Sequence, residues 1–347
     1  MHVMAQAQAQ GSLLLNESMT RYNSWRVGGK ADRLYIPASL DDLSAFLQSL
    51  GANEQLHFVG LGSNLLVRDA GVRGTVVVLH NALNSLQMEG NLVYADAGVT
   101  CAKLARFTAK QAKQGGEFWA GIPGTVGGAL AMNAGCHGGE TWDSVKRVLT
   151  IDAKGIVHER DAAQFVATYR HVAMPVANEW FVGAWFELPA GDAEESEQKI
   201  KALLAKRLAT QPLNLPNAGS TFRNPEGDYA ARLIEACGLK GHKIGGAQVS
   251  EKHANFIVNL GDASAEDIEQ LIALMRETVK EKFGISLHQE VQFLAKDIYY
   301  ISELPSHLLW GDVITIVILS FFLSLIATLY PSWKASKMNP AEALRYD

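Results

Sequence analysis

Between Trp25 and Leu188 the chain is built from short β-rich runs cut off by glycine: HFVGLGSNLLV, GTVVVL, NLVYADAG, VKRVLTID and EWFVGAWFEL. Runs this short, bounded by turn residues, read as strands of a packed sheet rather than as long helices. Two helices are predicted among them, over Ser39–Ser49 and over Cys101–Gln114, the second starting from Thr100 as N-cap. The pattern is that of an α+β fold rich in strand and tight turns.

A charged helix is expected over Ala193–Thr210. The PLNLPNAG stretch after it should be extended, because its prolines block further helix. Ser264 with Asp267 three residues on forms a variant capping box. Behind it Ile268, Leu271, Ile272, Met275 and Val279 make one apolar stripe, so this helix should lie on a sheet. HANFIVNL before it and SLHQEVQFL after it read as strands. In the last of these, alternation puts Leu287, Val291 and Phe293 on the core side and His288, Glu290 and Gln292 on the other.

At 347 residues, with roughly 150 residues per domain as a guide, two or three compact units are expected. We divide the chain into a disordered leader over 1–20, a two-lobed domain over 21–190, a smaller α+β domain over 191–296 and a tail over 297–347. A net charge of -5 supplies no basic field for a phosphate backbone, so nucleic acid is not an expected partner. Cys101, Cys136 and Cys237 are widely spaced, without a CxxC motif or paired His/Cys ligands. They read as reduced thiols of a cytosolic protein, and no metal site is expected. The first residues have no cationic n-region and only Leu13–Leu15 as an apolar run, unlike a secretory signal.

Two glycine-rich loops carry the first chemical signal. Gly60-Leu-Gly62-Ser63-Asn64 follows an apolar strand, and its glycines let backbone N–H groups approach an anion. Gly121-Ile122-Pro123-Gly124-Thr125-Val-Gly-Gly128 is followed by Asn133-Ala-Gly135. Either loop alone is an ordinary structural turn; together, with the short polar side chains of Ser63, Asn64, Thr125 and Asn133, they suit a dinucleotide. The nicotinamide-type Rossmann fingerprint is excluded, because position 65 is Leu where a third glycine is required.

SWRVGGKAD, VGLGSNLLVRD, AGIPGTVGGALAMNAG, YRH, NAGSTFRNP and HQEVQFL stand in the order found in the UDP-N-acetylenolpyruvoylglucosamine reductases, which the chain resembles over about residues 12–295. The short interval between Arg170 and Trp185 resembles the second, shorter type of that family. The resemblance implies a non-covalent FAD in a two-lobed domain of the vanillyl-alcohol-oxidase (PCMH) type, with a smaller domain over the substrate. It also implies NADPH as hydride donor and UDP-N-acetylglucosamine enolpyruvate as substrate, in the cytoplasm, with oligomeric state left open.

By the same resemblance, Gly60, Gly62, Ser63, Asn64, Gly121, Ile122, Pro123, Gly124, Thr125, Gly128, Asn133 and Gly135 face the cofactor. Arg170 holds the enolpyruvyl carboxylate, Ser220 donates a proton to carbon, and Glu290 helps polarise the carboxylate. Tyr169 is a substrate candidate, and Arg223 and Asn224 just after Ser220 are candidates for the UDP-sugar because a pyrophosphate calls for cation and amide donors, with Lys243, His242 and Arg232 as unranked alternatives. Read without the resemblance, Arg170 is an ordinary ion-pair residue, Ser220 a turn serine and Glu290 part of a solvated strand face. Cys136-His137 is weighed for covalent flavin attachment, and a turn is preferred. A second oxidase or dehydrogenase of the same fold is the alternative activity.

The tail is a separate matter. Val313–Tyr330 runs eighteen residues without a charge, about 27 Å of helix, near the lower end for a membrane span. YPSWKASKMNPAEALRYD is similar to the C-terminus of permease subunits of lipoprotein-releasing ABC transporters. Lys334, Lys337 and Arg345 after the segment would place the tail in the cytosol and the enzyme outside, away from NADPH and UDP-sugars. That conflict points to a misjoined frame or chimera, with membrane contact through the tail alone; the alternative is a membrane component defined by the tail.

Overall fold

The computed structural model describes residues 10–294 and Ser320. Residues through Ala295 form one compact unit and Lys296–Asp347 a second. The candidate membrane segment and the permease-like tail lie outside the described residues, among which no helix is long and apolar enough to cross a membrane.

A four-stranded sheet orders Ser12–Ser18, Lys30–Ile36, Val72–Val78 and Leu56–Val59. The first pair is antiparallel and the others parallel. Its interior is dominated by β-branched residues such as Val76, Val77 and Val78, which suit a pleated buried surface. The predicted leader is therefore shorter than expected: Ser12–Ser18 pairs along Lys30–Ile36, from Ser12 opposite Ile36 to Ser18 opposite Lys30. Leu13–Leu15 form part of an edge strand, whose backbone groups the neighbouring strand satisfies.

The second sheet is antiparallel, in the order Val157–Asp161, Val145–Asp152, Glu179–Glu187, Leu92–Asp96 and Leu86–Glu89. Its core contains Leu104, Trp119, Leu130 and Phe186, with Trp119 edge-on to Phe186 at 5.0 Å. The helix Cys101–Lys110 packs here from its Thr100 cap, whose hydroxyl accepts from the Lys103 N–H at 3.2 Å. It ends earlier than predicted, since Ala112 takes a positive φ of 49°.

The third region has a small sheet of Lys243–Ile244, Ala247–Val249 and Ile257–Asn259 covered by the Ala265–Phe283 helix. The Ser264–Asp267 capping box forms as read, and Ile268, Leu271, Ile272, Met275 and Val279 are buried. This core also takes Trp25, Val27 and Leu66 from the beginning of the chain. The Trp25 indole donates to the Ile257 carbonyl at 2.8 Å, and the Asn259 amide donates back to the Trp25 carbonyl at 2.8 Å.

Two local expectations change. After the Ala193–Thr210 helix, the proline-rich stretch folds into tight turns rather than running extended, with the Leu213 N–H on the Gln211 carbonyl at 3.0 Å. The final segment is regular strand only over Gln292–Leu294, which pairs in parallel with Leu65–Val67.

Candidate active site

Both glycine loops line one cavity of about 530 Å³, together with Arg170, Ser220 and Glu290. The first loop is fixed from behind by the Ser24 N–H, which donates to the Gly62 carbonyl at 3.0 Å. Gly62 has φ 63°, and a Cβ there would fall 2.0 Å from the Tyr22 carbonyl oxygen, so no side chain fits. The second loop is anchored by Val126 N–H to the Val99 carbonyl at 2.8 Å and Gly127 N–H to the Ala97 carbonyl at 2.9 Å. The loops touch: a Cβ on Gly60 would lie 2.2 Å from Thr125 Oγ1.

The cavity wall includes Gly60, Gly62, Ser63, Asn64, Gly121, Ile122, Pro123, Gly124, Thr125, Gly128 and Gly135. Asn133 is the exception. It ends the Val126–Met132 helix in the left-handed region at φ 40°, a conformation asparagine tolerates. Its side chain donates to Glu140 Oε2 at 2.7 Å and to the Thr168 carbonyl, and accepts from the Trp142 N–H. It shapes the turn behind the cavity rather than lining it. Cys136 and His137 belong to a tight hairpin between Gly135–Cys136 and Gly139–Glu140, with His137 at φ 54° and Gly138 at φ 90°. The Cys136 thiol lines the cavity and donates to the Phe118 carbonyl at 3.2 Å.

Arg170 and Glu290 come from distant parts of the chain and meet in the site. Arg170 Nε donates to Glu290 Oε1 at 3.0 Å, and its Nη2 donates to the Gly135 carbonyl at 2.8 Å. Arg170 itself sits at φ 56°, a left-handed backbone for a bulky residue. Burial pushes the Glu290 carboxyl above the ordinary carboxylate range, and the pull of Arg170 and Arg223 in the other direction does not cancel it. Asn64 ties the first glycine loop to this strand: its amide donates to the Glu290 carbonyl at 3.1 Å, and its own carbonyl accepts from the Gln292 N–H at 2.9 Å.

Ser220 stands between two clamps. On one side the Asn217 side chain donates to the Pro212 and Leu215 carbonyls and accepts from the Gly219 N–H at 3.0 Å. On the other, buried Asn255 brackets Phe222, accepting its N–H at 3.0 Å and donating to its carbonyl at 2.8 Å. Ser220 lines the cavity, and the N-cap of the helix that follows is Tyr229. Tyr169, Arg223 and Asn224 do not line the cavity. Tyr169 is exposed and lies against the Arg170 guanidinium at 5.1 Å. The Asn224 side chain accepts from the Ala230 N–H at 3.1 Å, at the start of the Ala230–Ala236 helix.

Sequence reading passed over Arg207 and Gln211, which line the cavity from the end of the charged helix. Arg207 Nε donates to Gln211 Oε1 at 2.9 Å, and burial lowers its pKa. The four-residue spacing of Arg207 and Gln211 was the available signal.

The residues present fit a dinucleotide such as FAD. A Cβ built on Gly124 or Gly128 would meet no atom closer than 3.4 Å, so the missing side chains leave open room along the wall. The backbone N–H groups of Gly62, Ser63, Asn64, Gly124 and Thr125 have no acceptor among the described residues, which suits phosphate oxygens.

Residues 31–160 match the model of an FAD binding domain, and residues 211–294 that of the UDP-N-acetylenolpyruvoylglucosamine reductase C-terminal domain. The reductase of Nitrosospira multiformis is 56% identical, the match covering 83% of this chain and 90% of that one. That of Methylococcus capsulatus is 55% identical, over 84% and 95%. The crystal structure of the Thermus caldophilus reductase superposes with a TM-score of 0.70 at 30% identity, covering 82% of this chain and 99% of that one. Similarity at this level over nearly the whole of each relative makes the chain a member of the UDP-N-acetylenolpyruvoylglucosamine reductase family.

Proposed function

We infer that this chain uses NADPH and bound FAD to reduce UDP-N-acetylglucosamine enolpyruvate to UDP-N-acetylmuramate, a step of peptidoglycan synthesis. The observation that carries the reading is the cavity itself: two touching glycine loops share one wall with Arg170, Ser220 and Glu290. We assign the FAD to the domain over 21–190 and the covering of the substrate to that over 191–296.

FAD supplies hydride chemistry when bound, so that electrons from NADPH reach the terminal alkene carbon of the substrate. Negative charge then spreads from the adjacent carbon into the carboxylate. Arg170 offsets it with a permanently charged, forked guanidinium. Glu290, whose carboxyl burial raises, donates in its protonated form to a carboxylate oxygen instead of repelling it. Ser220, which lines the cavity, gives its proton to the adjacent carbon. Hydride on one carbon and proton on the next complete the reduction of the double bond. Tyr169 and Asn224, which do not line the cavity, are kept as candidates for the UDP-sugar outside it.

The enzyme works in the cytoplasm, where NADPH and UDP-sugars are found. Residues 297–347 are read as a permease-like segment joined to it, and any membrane contact runs through them.

The test is spectroscopic. The purified chain should be yellow, bleach with NADPH and regain its colour when the enolpyruvyl substrate is added. A colourless protein, or a bleached one that the substrate leaves bleached, would overturn the assignment.

A further inference from the structure

Arg223 is a candidate for the UDP-sugar because a pyrophosphate calls for a cation, yet its surroundings are those of a residue turned inward. Its Nη2 donates to the main-chain carbonyl of Arg170 at 3.3 Å. Its Nε is buried and has no partner among the described residues. Its backbone N–H donates to the His288 carbonyl at 2.8 Å, and the next backbone bond along joins the Glu290 N–H to the Thr221 carbonyl at 2.9 Å. Arg223 is thus fastened to the segment that carries Glu290 while its side chain reaches the residue that carries the opposing charge. It does not line the cavity.

We propose that Arg223 is a positioning residue of the reductase: it holds Arg170 in its left-handed backbone conformation and supplies a second cation beside Glu290, and it does not bind the UDP group.

The mechanical part follows from the conformation of Arg170. A bulky residue at φ 56° persists only where its surroundings impose it. The peptide carbonyl of Arg170 is one handle by which that conformation is held, and Arg223 grips it. The Gly135 carbonyl grips the other end, at the guanidinium. Without Arg223 the guanidinium keeps its bonds to Glu290 and Gly135 but the backbone that carries it loses its hold, so the cation is placed less firmly for the substrate carboxylate.

The electrical part follows from the charges facing Glu290. Arg170 comes from the Thr168–His171 turn and Arg223 from the segment after Ser220. Arg207 and Cys136 line the same cavity from the Ala193–Thr210 helix and the Gly135–Cys136 strand. His288, two residues along its own segment, is exposed. Burial favours the protonated carboxyl, while Arg170 and Arg223 favour the ionised one. Removing Arg223 takes away one of two opposing cations, so Glu290 holds its proton to higher pH. Any alkaline limb that reports Glu290 then moves upward.

The inference rests on the roles given above to Arg170 and Glu290, and the experiment separates the two. Flavin reduction by NADPH and flavin reoxidation by the enolpyruvyl substrate are measured across pH in the full chain, in Arg223→Gln and in Arg223→Lys. Wild-type chain that substrate cannot reoxidise sinks the underlying reading. With wild type normal, Arg223→Gln should keep NADPH reduction, lose about 10- to 100-fold in saturated reoxidation rate as misplacement of a reacting partner does, and show its alkaline limb at higher pH. Arg223→Lys should return the limb to its wild-type position with only part of the rate. Should Arg223→Gln fail to retain flavin, Arg223→Lys carries the test by its slowed saturated reoxidation. In either variant, a raised KM for substrate with unchanged saturated rate and unmoved limb makes Arg223 a ligand of the UDP group and overturns the proposal.

Discussion

Arg170 and Glu290 lie 120 residues apart in the chain and meet at 3.0 Å across the cavity, each largely withdrawn from solvent. Removing Glu290 would leave the withdrawn Arg170 charge with one bond fewer, that to the Gly135 carbonyl remaining. The pair is also where substrate must arrive, since a second carboxylate on Arg170 is tolerated only if Glu290 carries a proton.

The first prediction concerns the fork of Arg170. Arg170→Lys keeps the charge and loses the geometry that spans Glu290 and the Gly135 carbonyl. Reoxidation of the flavin by substrate should slow by about 100-fold or more, while NADPH reduction keeps its rate. Stopped-flow absorbance resolves both steps, and equal slowing of the two would remove Arg170 from the substrate half.

Ser220→Ala tests the proton donor. The variant should bleach normally with NADPH and then fail to recover with substrate, because the hydride has nowhere stable to go without a proton on the adjacent carbon. Normal recovery would transfer the donor role to another group.

The pH dependence has a defined sign. Burial raises the Glu290 carboxyl, so its proton persists above the usual carboxylate range and is lost as pH climbs through the raised value. Reoxidation by substrate should fall on the alkaline side of that transition, and Glu290→Gln should abolish the limb. The folded chain also holds this proton more tightly than the unfolded one. That contribution to stability is complete below the ordinary carboxyl value and is lost as pH rises through the folded value.

Gly60→Ala tests the contact between the loops. Its Cβ would stand 2.2 Å from Thr125 Oγ1, so one loop must move. Flavin affinity should weaken by about tenfold or more, roughly 1.4 kcal/mol, read from flavin fluorescence released on dilution. Undiminished affinity would mean that the two loops do not hold the cofactor jointly.

Ending the chain after Lys296 should leave flavin content and both half-reactions unchanged, since every residue named in the site belongs to the compact unit that closes at Ala295. Loss of either half-reaction on truncation would give the tail a part in the enzyme.

Local signals in the sequence carried over well. The capping box at Ser264, the Thr100 cap and the buried stripe from Ile268 to Val279 are properties of neighbours along the chain, and each is found where spacing puts it. The glycine loops were legible for the same reason: missing side chains are written directly in the letters. Asn133 misled because its type suits both a polar wall and a left-handed helix end, and only the Glu140, Thr168 and Trp142 contacts decide between them. Arg207 was hidden among the other charges of its helix, where no periodic apolar stripe marks an inward face. The Ser12–Ser18 strand depends on a partner strand beginning at Lys30, a pairing that composition near the terminus does not announce.

Trp25 has a further consequence. It is fully buried in the core of the C-terminal region, and its indole N–H donates to the Ile257 carbonyl. In the order of synthesis, Trp25 and Leu66 emerge long before Leu271, Met275 and Val291, with which they share a core. The Leu65–Val67 strand likewise waits for Gln292–Leu294. Part of the first region is therefore completed only when the third arrives, and a cut between the two would leave the shared core around Trp25 and Leu66 incomplete.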